Sequence, residues 1–135
     1  MAKIINLKSK KVIGRGSFAI VYKVSPRRVV KVFRSNVKEE LDLLLEDEVK
    51  GGKTLAYALP VLKVVNVITP RGRLTRGLLK QFIPYPVTLE EIWAEIPRRI
   101  INKIWDIQSN NIRRDSKGRL WLVDTQTEGC WRYSK

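Results

Sequence analysis

The fold is decided by residues 12–33, which read VIGRGSFAIVYKVSPRRVVKVF. Three runs rich in β-branched and aromatic residues are separated here by two turns, one with Gly14 and Gly16 and the other with Pro26. Runs of this composition, bounded by glycine and proline, predict strands. The segment therefore predicts three consecutive strands with a glycine turn between the first two.

A helix and two more strands are predicted next. Leucines at helical spacing and acidic residues in the first turn predict a helix over 37–50, which Gly51-Gly52 should weaken or end. Residues 61–68 form an apolar run, residues 70–73 have the composition of a hairpin turn, and residues 78–83 predict the return strand.

The rest of the chain predicts smaller elements. Residues 84–86 read as a connector, and Thr88 with Glu91 three positions later predicts a helix that opens with a capping box. Pro97 is expected to begin a second helix, which carries Ile100, Ile101, Ile104 and Trp105. Residues 112–123 predict a short hairpin. The whole pattern indicates an α+β chain.

Composition sets limits on the chemistry. The 135 residues suffice for one domain or two small lobes, and 27 Lys and Arg against 13 Asp and Glu give a net charge of +14. Such a positive field attracts polyanions such as nucleic acid, nucleotides or acidic proteins.

The chain has no histidine, which excludes imidazole chemistry, and its single cysteine, Cys130, excludes an internal disulfide. The single cysteine is compatible with a reducing compartment. We expect neither a signal peptide nor a membrane span.

Lys31 is the first candidate site residue, because it lies in the middle of the apolar run 29–33. Two interpretations stay open: an outward-facing residue of a half-buried strand, or an ammonium aimed at phosphates under the glycine turn. A loop without side chains lets backbone N–H groups approach phosphate oxygens closely. A glycine pair is also common in ordinary turns, so this signal is weak when taken alone.

A buried lysine needs an ion-pair partner, and the predicted helix offers one. Glu48 shares a helical stripe with Leu41 and Leu45, whereas Glu46 and Asp47 are expected to point away from that stripe. This geometry predicts Glu48 as the partner of the lysine, with Glu46 as the reserve.

A second candidate group lies near the end of the chain. Asp106 and Asn111 have the spacing D-x-x-x-x-N, and Asp124 ends the strand that closes the hairpin. Phosphoryl transfer needs a carboxylate that orients a hydroxyl, and an amide with a second carboxylate that hold Mg²⁺. The alternative is a polar loop followed by an ordinary hairpin.

The glycine turn, the strand lysine and the helix glutamate are followed in the chain by Asp106, Asn111 and Asp124. In this order of motifs, residues 12–124 resemble a protein kinase reduced to a minimal version. The resemblance implies a five-stranded antiparallel N-lobe sheet with one helix over 1–83. It also implies a truncated C-lobe of two short helices and a β-hairpin over 84–135. The chain is similar to small bacterial effector kinases and virus-encoded serine/threonine kinases, some of which use a host partner to complete the fold.

The resemblance also implies ATP and Mg²⁺ as cofactors and gives each candidate a role. Asp106 would be the catalytic base, Lys31 would bind the α- and β-phosphates, and Asn111 with Asp124 would hold magnesium. Phe82 and Ile83 would form the hinge that receives adenine. The residues implied to contact the nucleotide are Gly14, Gly16, Ser17, Phe18, Val21, Lys31, Glu48, Phe82 and Ile83.

Departures from the kinase pattern keep a second function open. Ala19 replaces the third glycine, Ile104-Trp105 replace the His-Arg before the catalytic aspartate, and Thr125-Gln126 replace the Phe-Gly of DFG. Only 11 residues follow Asp124, so we expect the subdomain that holds a peptide substrate to be missing. The alternative is a kinase-like module, a pseudokinase, that binds nucleotide or a partner without turnover.

The expected partners are an acidic protein substrate or a protein that completes the C-lobe. Nucleic acid is the weaker candidate, because aromatic residues make up only 8% of the chain and do not alternate with basic ones. The expected location is the cytoplasm, that of a host if the protein is an effector or viral. The substrate and the oligomeric state stay open at this point.

Overall fold

The structure is a computed structural model that describes residues 3–16, 18–101 and 112–123. Within these ranges the secondary structure is α+β, as predicted, with nine strands and three helices. The strands are β1 (Ile4–Asn6), β2 (Lys11–Arg15), β3 (Ala19–Ser25), β4 (Arg28–Phe33), β5 (Val61–Ile68), β6 (Leu74–Gln81), β7 (Tyr85–Pro86), β8 (Ile112–Arg114) and β9 (Leu120–Leu122). The helices are α1 (Lys38–Thr54), α2 (Leu89–Glu95) and α3 (Arg98–Ile101).

The chain divides into two compact units. The first comprises Met1–Leu45 and Val61–Phe82, and the second comprises Glu46–Pro60 and Ile83–Lys135. Helix α1 contributes its first half to the first unit and its second half to the second unit.

The first unit contains a six-stranded sheet of order β1-β5-β6-β4-β3-β2. Strands β2 to β6 are antiparallel to their neighbours, but β1 pairs in parallel with the end of β5. The prediction of a five-stranded antiparallel sheet is therefore wrong, and the sheet is mixed. Strand β1 was missed because three residues are too few to display the alternation that predicts a strand.

One face of this sheet forms the core of the first unit. The buried side chains are Leu7, Tyr22, Val30, Val32 and Val67. Residues two apart along a strand share a face, so the β-branched positions that alternate along β3, β4 and β5 all contribute to this core. The apolar runs quoted from the sequence therefore do bury one face, as their pattern predicts.

Two predicted boundaries are wrong. Helix α1 continues through Gly51 and Gly52, since the N–H of Leu55 donates to the carbonyl of Gly51 at 3.0 Å. Strand β6 begins at Leu74 rather than at residue 78, because the turn places Leu74 directly opposite Ile68 and the ladder starts there. In α1 the helical hydrogen bonds outweigh the tendency of glycine to end a helix. In β6 the ladder with β5 outweighs the polar residues that argue against a strand.

The second unit contains the three-stranded sheet β7-β8-β9. The hairpin of β8 and β9 is confirmed, but the segment predicted as a connector is wrong, because Tyr85 and Pro86 pair with β8 as a short strand. The N-cap is confirmed: the N–H of Glu91 donates to Thr88 Oγ1. Helix α3 begins directly after Pro97, and the expected continuation through Ile104-Trp105 lies outside the described residues.

A second core belongs to this unit. Its buried members are Val87, Ile92, Ile96, Ile101, Ile112, Leu120 and Leu122. Backbone hydrogen bonds join Leu122 to Tyr57 and Leu59, so the segment after α1 packs beside the hairpin. Among the described helices, none combines the length and the apolar character that a membrane crossing needs.

Candidate functional site

Three of the predicted site residues lie side by side on the sheet of the first unit. Gly14 is directly opposite Val21 across β2 and β3, and Val21 is directly opposite Lys31 across β3 and β4. Directly opposed residues of an antiparallel pair share one face of the sheet. The strand register therefore brings the glycine turn, the valine and the lysine into one row.

Lys31 is buried, with only 7% of its surface exposed. Its neighbours Val30 and Val32 point into the core on the opposite face, and its Nζ lies 5.2 Å from the centroid of the Phe33 ring. Taking an ammonium out of water is costly unless charges and hydrogen bonds compensate. This burial argues against the interpretation of Lys31 as an outward-facing surface residue.

Two further lysines lie on the same face of the sheet. Val29 is two residues from Lys31, and it is directly opposite both Lys23 on β3 and Lys80 on β6. Lys80 is only 2% exposed, and the Nζ of Lys23 lies 4.4 Å above the ring of Phe82. This face of the first unit therefore carries three ammonium groups around Val29.

Sequence reasoning missed Lys80, although the signal was present. It follows Leu78 by two positions in a strand, just as Lys31 follows Val29 by two positions. Alternation predicts that each pair shares a face. Only the register between β4 and β6 shows that both lysines belong to the same face.

The glycines of the turn are not required by the fold. A Cβ built on Gly14 would lie 3.7 Å from Cβ of Val21, and one on Gly16 would lie 3.8 Å from the carbonyl oxygen of Ala19. Both are ordinary contact distances, and neither residue has a positive φ. In contrast, a Cβ on Gly77 would lie 2.9 Å from the carbonyl oxygen of Lys31, so the fold itself requires that glycine.

Arg34 holds the glycine turn in place, and sequence reasoning missed it. Its Nε donates to the carbonyl of Gly16 at 3.0 Å, and its backbone N–H donates to the carbonyl of Phe18 at 2.8 Å. Arg34 follows directly after β4, so the strand that carries Lys31 also carries the residue that fixes the turn. In a chain with 27 basic residues, one more arginine gives no signal in the sequence.

The two predicted hinge residues belong to different units. Phe82 ends the first unit, and its N–H donates to the carbonyl of Arg27 at 2.9 Å. Ile83 begins the second unit, where it is buried and its carbonyl accepts a hydrogen bond from Arg113 Nε at 2.6 Å. Nη2 of the same guanidinium binds the carbonyl of Pro84 at 2.7 Å. These three backbone groups are therefore occupied within the fold, and burial lowers the pKa of Arg113.

The acidic residues of helix α1 differ in burial. Glu48 is completely buried, as its place on the leucine stripe predicts, and Glu46 is exposed. The expectation that Asp47 points away is wrong, since only 8% of its surface is exposed. The buried stripe of this part of the helix is wider than the leucine spacing alone indicates.

Four predicted site residues lie outside the described residues. They are Ser17 of the glycine turn, the predicted base Asp106, and the predicted magnesium ligands Asn111 and Asp124. Their roles stay predictions. Among the described residues, the glycine turn beside the lysine face of the first unit leaves room for a phosphate to approach the backbone without meeting a Cβ.

Comparison of the chain with protein-family models and with curated proteins finds no match. The kinase resemblance therefore depends on the sequence motifs alone.

Proposed function

We propose that this protein is an ATP- and Mg²⁺-dependent phosphotransferase, and specifically a minimal protein serine/threonine kinase. The observation that carries the proposal is the row of Gly14, Val21 and Lys31 across three adjacent strands. It combines a buried ammonium with a turn whose glycines the fold does not need. A phosphate that lies close to the backbone would explain both the buried ammonium, which neutralises its charge, and the glycines, which leave it room.

The charge of this face fits the phosphates of a nucleotide. Lys23, Lys31 and Lys80 lie on the face that also carries Gly14. Ammonium groups act as compact point charges that bind phosphate oxygens, and burial strengthens such interactions. In the proposed arrangement Lys31 binds the α- and β-phosphates, Glu48 is its ion-pair partner, and the glycine turn lets the terminal phosphates lie close to the backbone.

The proposed reaction is the transfer of the γ-phosphoryl group to a hydroxyl of a protein substrate. The hydroxyl oxygen forms a bond to the γ-phosphorus, and the bond from that phosphorus to the β–γ bridging oxygen breaks, so that ADP leaves. Asp106 accepts the proton of the hydroxyl. Asn111 and Asp124 would hold the magnesium ion, which neutralises charge on the phosphates when it is bound.

Nucleotide binding is tested with Lys31→Ala and with a matched control, Lys63→Ala, which removes an exposed lysine from the same sheet. Isothermal titration with ATP and Mg²⁺ should give saturable binding for the unmodified protein and for the control. The Lys31 variant should bind roughly tenfold or more weakly, because a hydrogen-bonded charge contact of about 1.5–3 kcal/mol is lost. Equal affinities of all three proteins would contradict the proposal.

Phosphate transfer separates the kinase from its alternative. With γ-labelled ATP, we expect label to appear on the protein itself or on an added acidic or basic protein, and to disappear in Asp106→Ala and Asp124→Ala. The replaced Phe-Gly and His-Arg pairs favour the second candidate, a pseudokinase. That candidate predicts nucleotide binding with no label transferred under any condition.

A further inference from the structure

A groove in the first unit lies away from the glycine turn. It is formed where helix α1 begins and where strand β6 leaves the hairpin turn, and its volume is about 230 Å³. We call it the basic groove. The residues that define it are Val37, Lys38, Leu41, Arg73, Leu74 and Arg76.

The size of the basic groove suits a side chain rather than a nucleotide. Pockets for small molecules usually have volumes of about 300–1,000 Å³. A volume of about 230 Å³ lies below this range. The guest that fits best is therefore one large side chain with the adjoining backbone of an extended segment.

The floor of the basic groove is apolar and partly open to solvent. Leu41 is buried at its base, whereas Val37 is 53% exposed and Leu74 is 64% exposed. Large aliphatic side chains left open beside a concavity are typical of protein interaction sites. They provide an apolar surface that an inserted side chain could cover.

The rim of the basic groove is positively charged. Lys38, Arg73 and Arg76 line it, and no acidic side chain of the described residues does so. Arg76 forms an ion pair with Asp42 on α1. In the part of the chain that the structure describes, the side chains of Lys38 and Arg73 make no hydrogen bond or ion pair. Two cations therefore face solvent beside an apolar floor.

We propose that the basic groove is a docking site for an acidic peptide segment of a partner protein, which inserts one large apolar side chain between α1 and β6. The rim cations attract the carboxylates and the apolar floor receives the side chain, so both features are used at once. Nucleic acid would use only the cations and would leave Val37 and Leu74 uncovered. The proposal is independent of the nucleotide site, because the groove shares none of that site's residues.

A tagged peptide of sequence Asp-Glu-Phe-Glu-Asp is the probe, measured by fluorescence anisotropy at low salt. Charge reversal in Arg73→Glu should weaken binding at least roughly tenfold, and Leu74→Ser should weaken it several-fold. The matched controls are Arg71→Glu, an exposed arginine of the same turn, and Leu62→Ser, an exposed leucine of β5; neither residue lines the groove. Both controls should bind as the unmodified protein does.

Specificity is tested with a second peptide in which serine replaces phenylalanine, and with a single-stranded oligothymidine. The serine peptide should bind at least several-fold more weakly than the phenylalanine peptide. Equal binding of the two peptides, or an equal loss in Arg71→Glu and Arg73→Glu, would overturn the proposal and indicate general charge attraction. Oligothymidine binding that depends on Arg73 but not on Leu74, together with no peptide binding, would overturn it in favour of a nucleic-acid interface.

Amide spectra provide a readout that needs no variant. Addition of the phenylalanine peptide to the ¹⁵N-labelled protein should shift signals of residues 35–41 and 73–76, the segments that line the groove. Shifts confined to other residues would overturn the proposed location.

Discussion

The substitution Gly14→Ala separates a role in ligand binding from a role in folding. Its added Cβ would lie 3.7 Å from Cβ of Val21, an ordinary van der Waals distance, and the residue has no positive φ. Replacement of glycine by alanine at a compatible position stabilises a protein by about 0.4–1 kcal/mol, because the unfolded chain loses conformational freedom. We therefore expect Gly14→Ala to be as stable as the unmodified protein or slightly more stable.

The same methyl group should weaken nucleotide binding. It stands on the face of the sheet that carries Lys31, where the proposed function places the phosphates against the backbone. If it displaces one backbone N–H from a phosphate oxygen, the lost charge-assisted hydrogen bond is worth about 1.5–3 kcal/mol. This loss corresponds to a rise in Kd of roughly 10- to 150-fold.

Gly77→Ala is the matched control, since it is the same chemical change on the same sheet. Its Cβ would lie 2.9 Å from both the carbonyl oxygen of Lys31 and Cγ1 of Val30. Overpacking of this kind costs about 1–3 kcal/mol. We expect a clear loss of stability, in contrast to Gly14→Ala.

Urea unfolding at equilibrium and isothermal titration with ATP and Mg²⁺ measure the two quantities on the three proteins. A Gly14→Ala protein that unfolds at lower urea than the unmodified protein would refute the steric reasoning. A Gly14→Ala protein with unchanged stability and unchanged affinity would instead refute the proposed approach of phosphate to the turn.

Three further predictions concern the turn, a helix cap and a surface hydrogen bond. Arg34→Met should weaken ATP binding with little change in unfolding temperature, because Nε no longer holds the glycine turn, whereas Arg15→Met should leave binding unchanged in the same titration. Thr88→Ala should lower the free energy of unfolding by about 1 kcal/mol in urea titrations, and an unchanged midpoint would count against the observed cap. The hydrogen bond from Trp121 Nε1 lowers the pKa of Asp115 below its ordinary value of 3.8. The bond to the ionised carboxylate therefore stabilises the fold at neutral pH. This contribution is lost as the pH falls through the lowered pKa. Trp121→Phe should therefore lower the unfolding temperature at neutral pH and flatten its decrease on acidification to about pH 3, and parallel curves for the two proteins would contradict this assignment.

Local sequence patterns were enough to predict the elements that begin or turn at a cap or turn residue of their own. Thr88 and Glu91 form the predicted cap, because a cap is made within one turn of helix. The hairpin of β8 and β9 is also local, and its turn contains Gly118 at φ +83°. Local signals failed at β1 and β7, since each is a strand of three residues or fewer that exists only through pairing with a distant partner.

The residues of the candidate site fall into the same two groups: those that local sequence patterns indicate, and those that depend on contacts between distant segments. The burial of Lys31 and Glu48 agrees with their positions among apolar residues of a strand and a helix, since burial follows from periodicity. Lys80, Arg34 and Arg113 were missed, because each acquires its importance from residues far away in sequence. Nothing in a strongly basic chain distinguishes these three cations from the others before the strands are paired.

The sequence by itself determined the α+β class, strands β2 to β6 and the helix of the first unit, and most of the buried apolar positions along them, because these depend on the spacing of apolar residues over a few turns or pleats. The tertiary structure alone decided the strand register that aligns Gly14, Val21 and Lys31, the parallel pairing of β1 with β5, and the basic groove between α1 and β6. The physical reason is that hydrophobic periodicity assigns a residue to a face, whereas the choice of neighbour across that face depends on hydrogen bonds between segments that are distant in the chain.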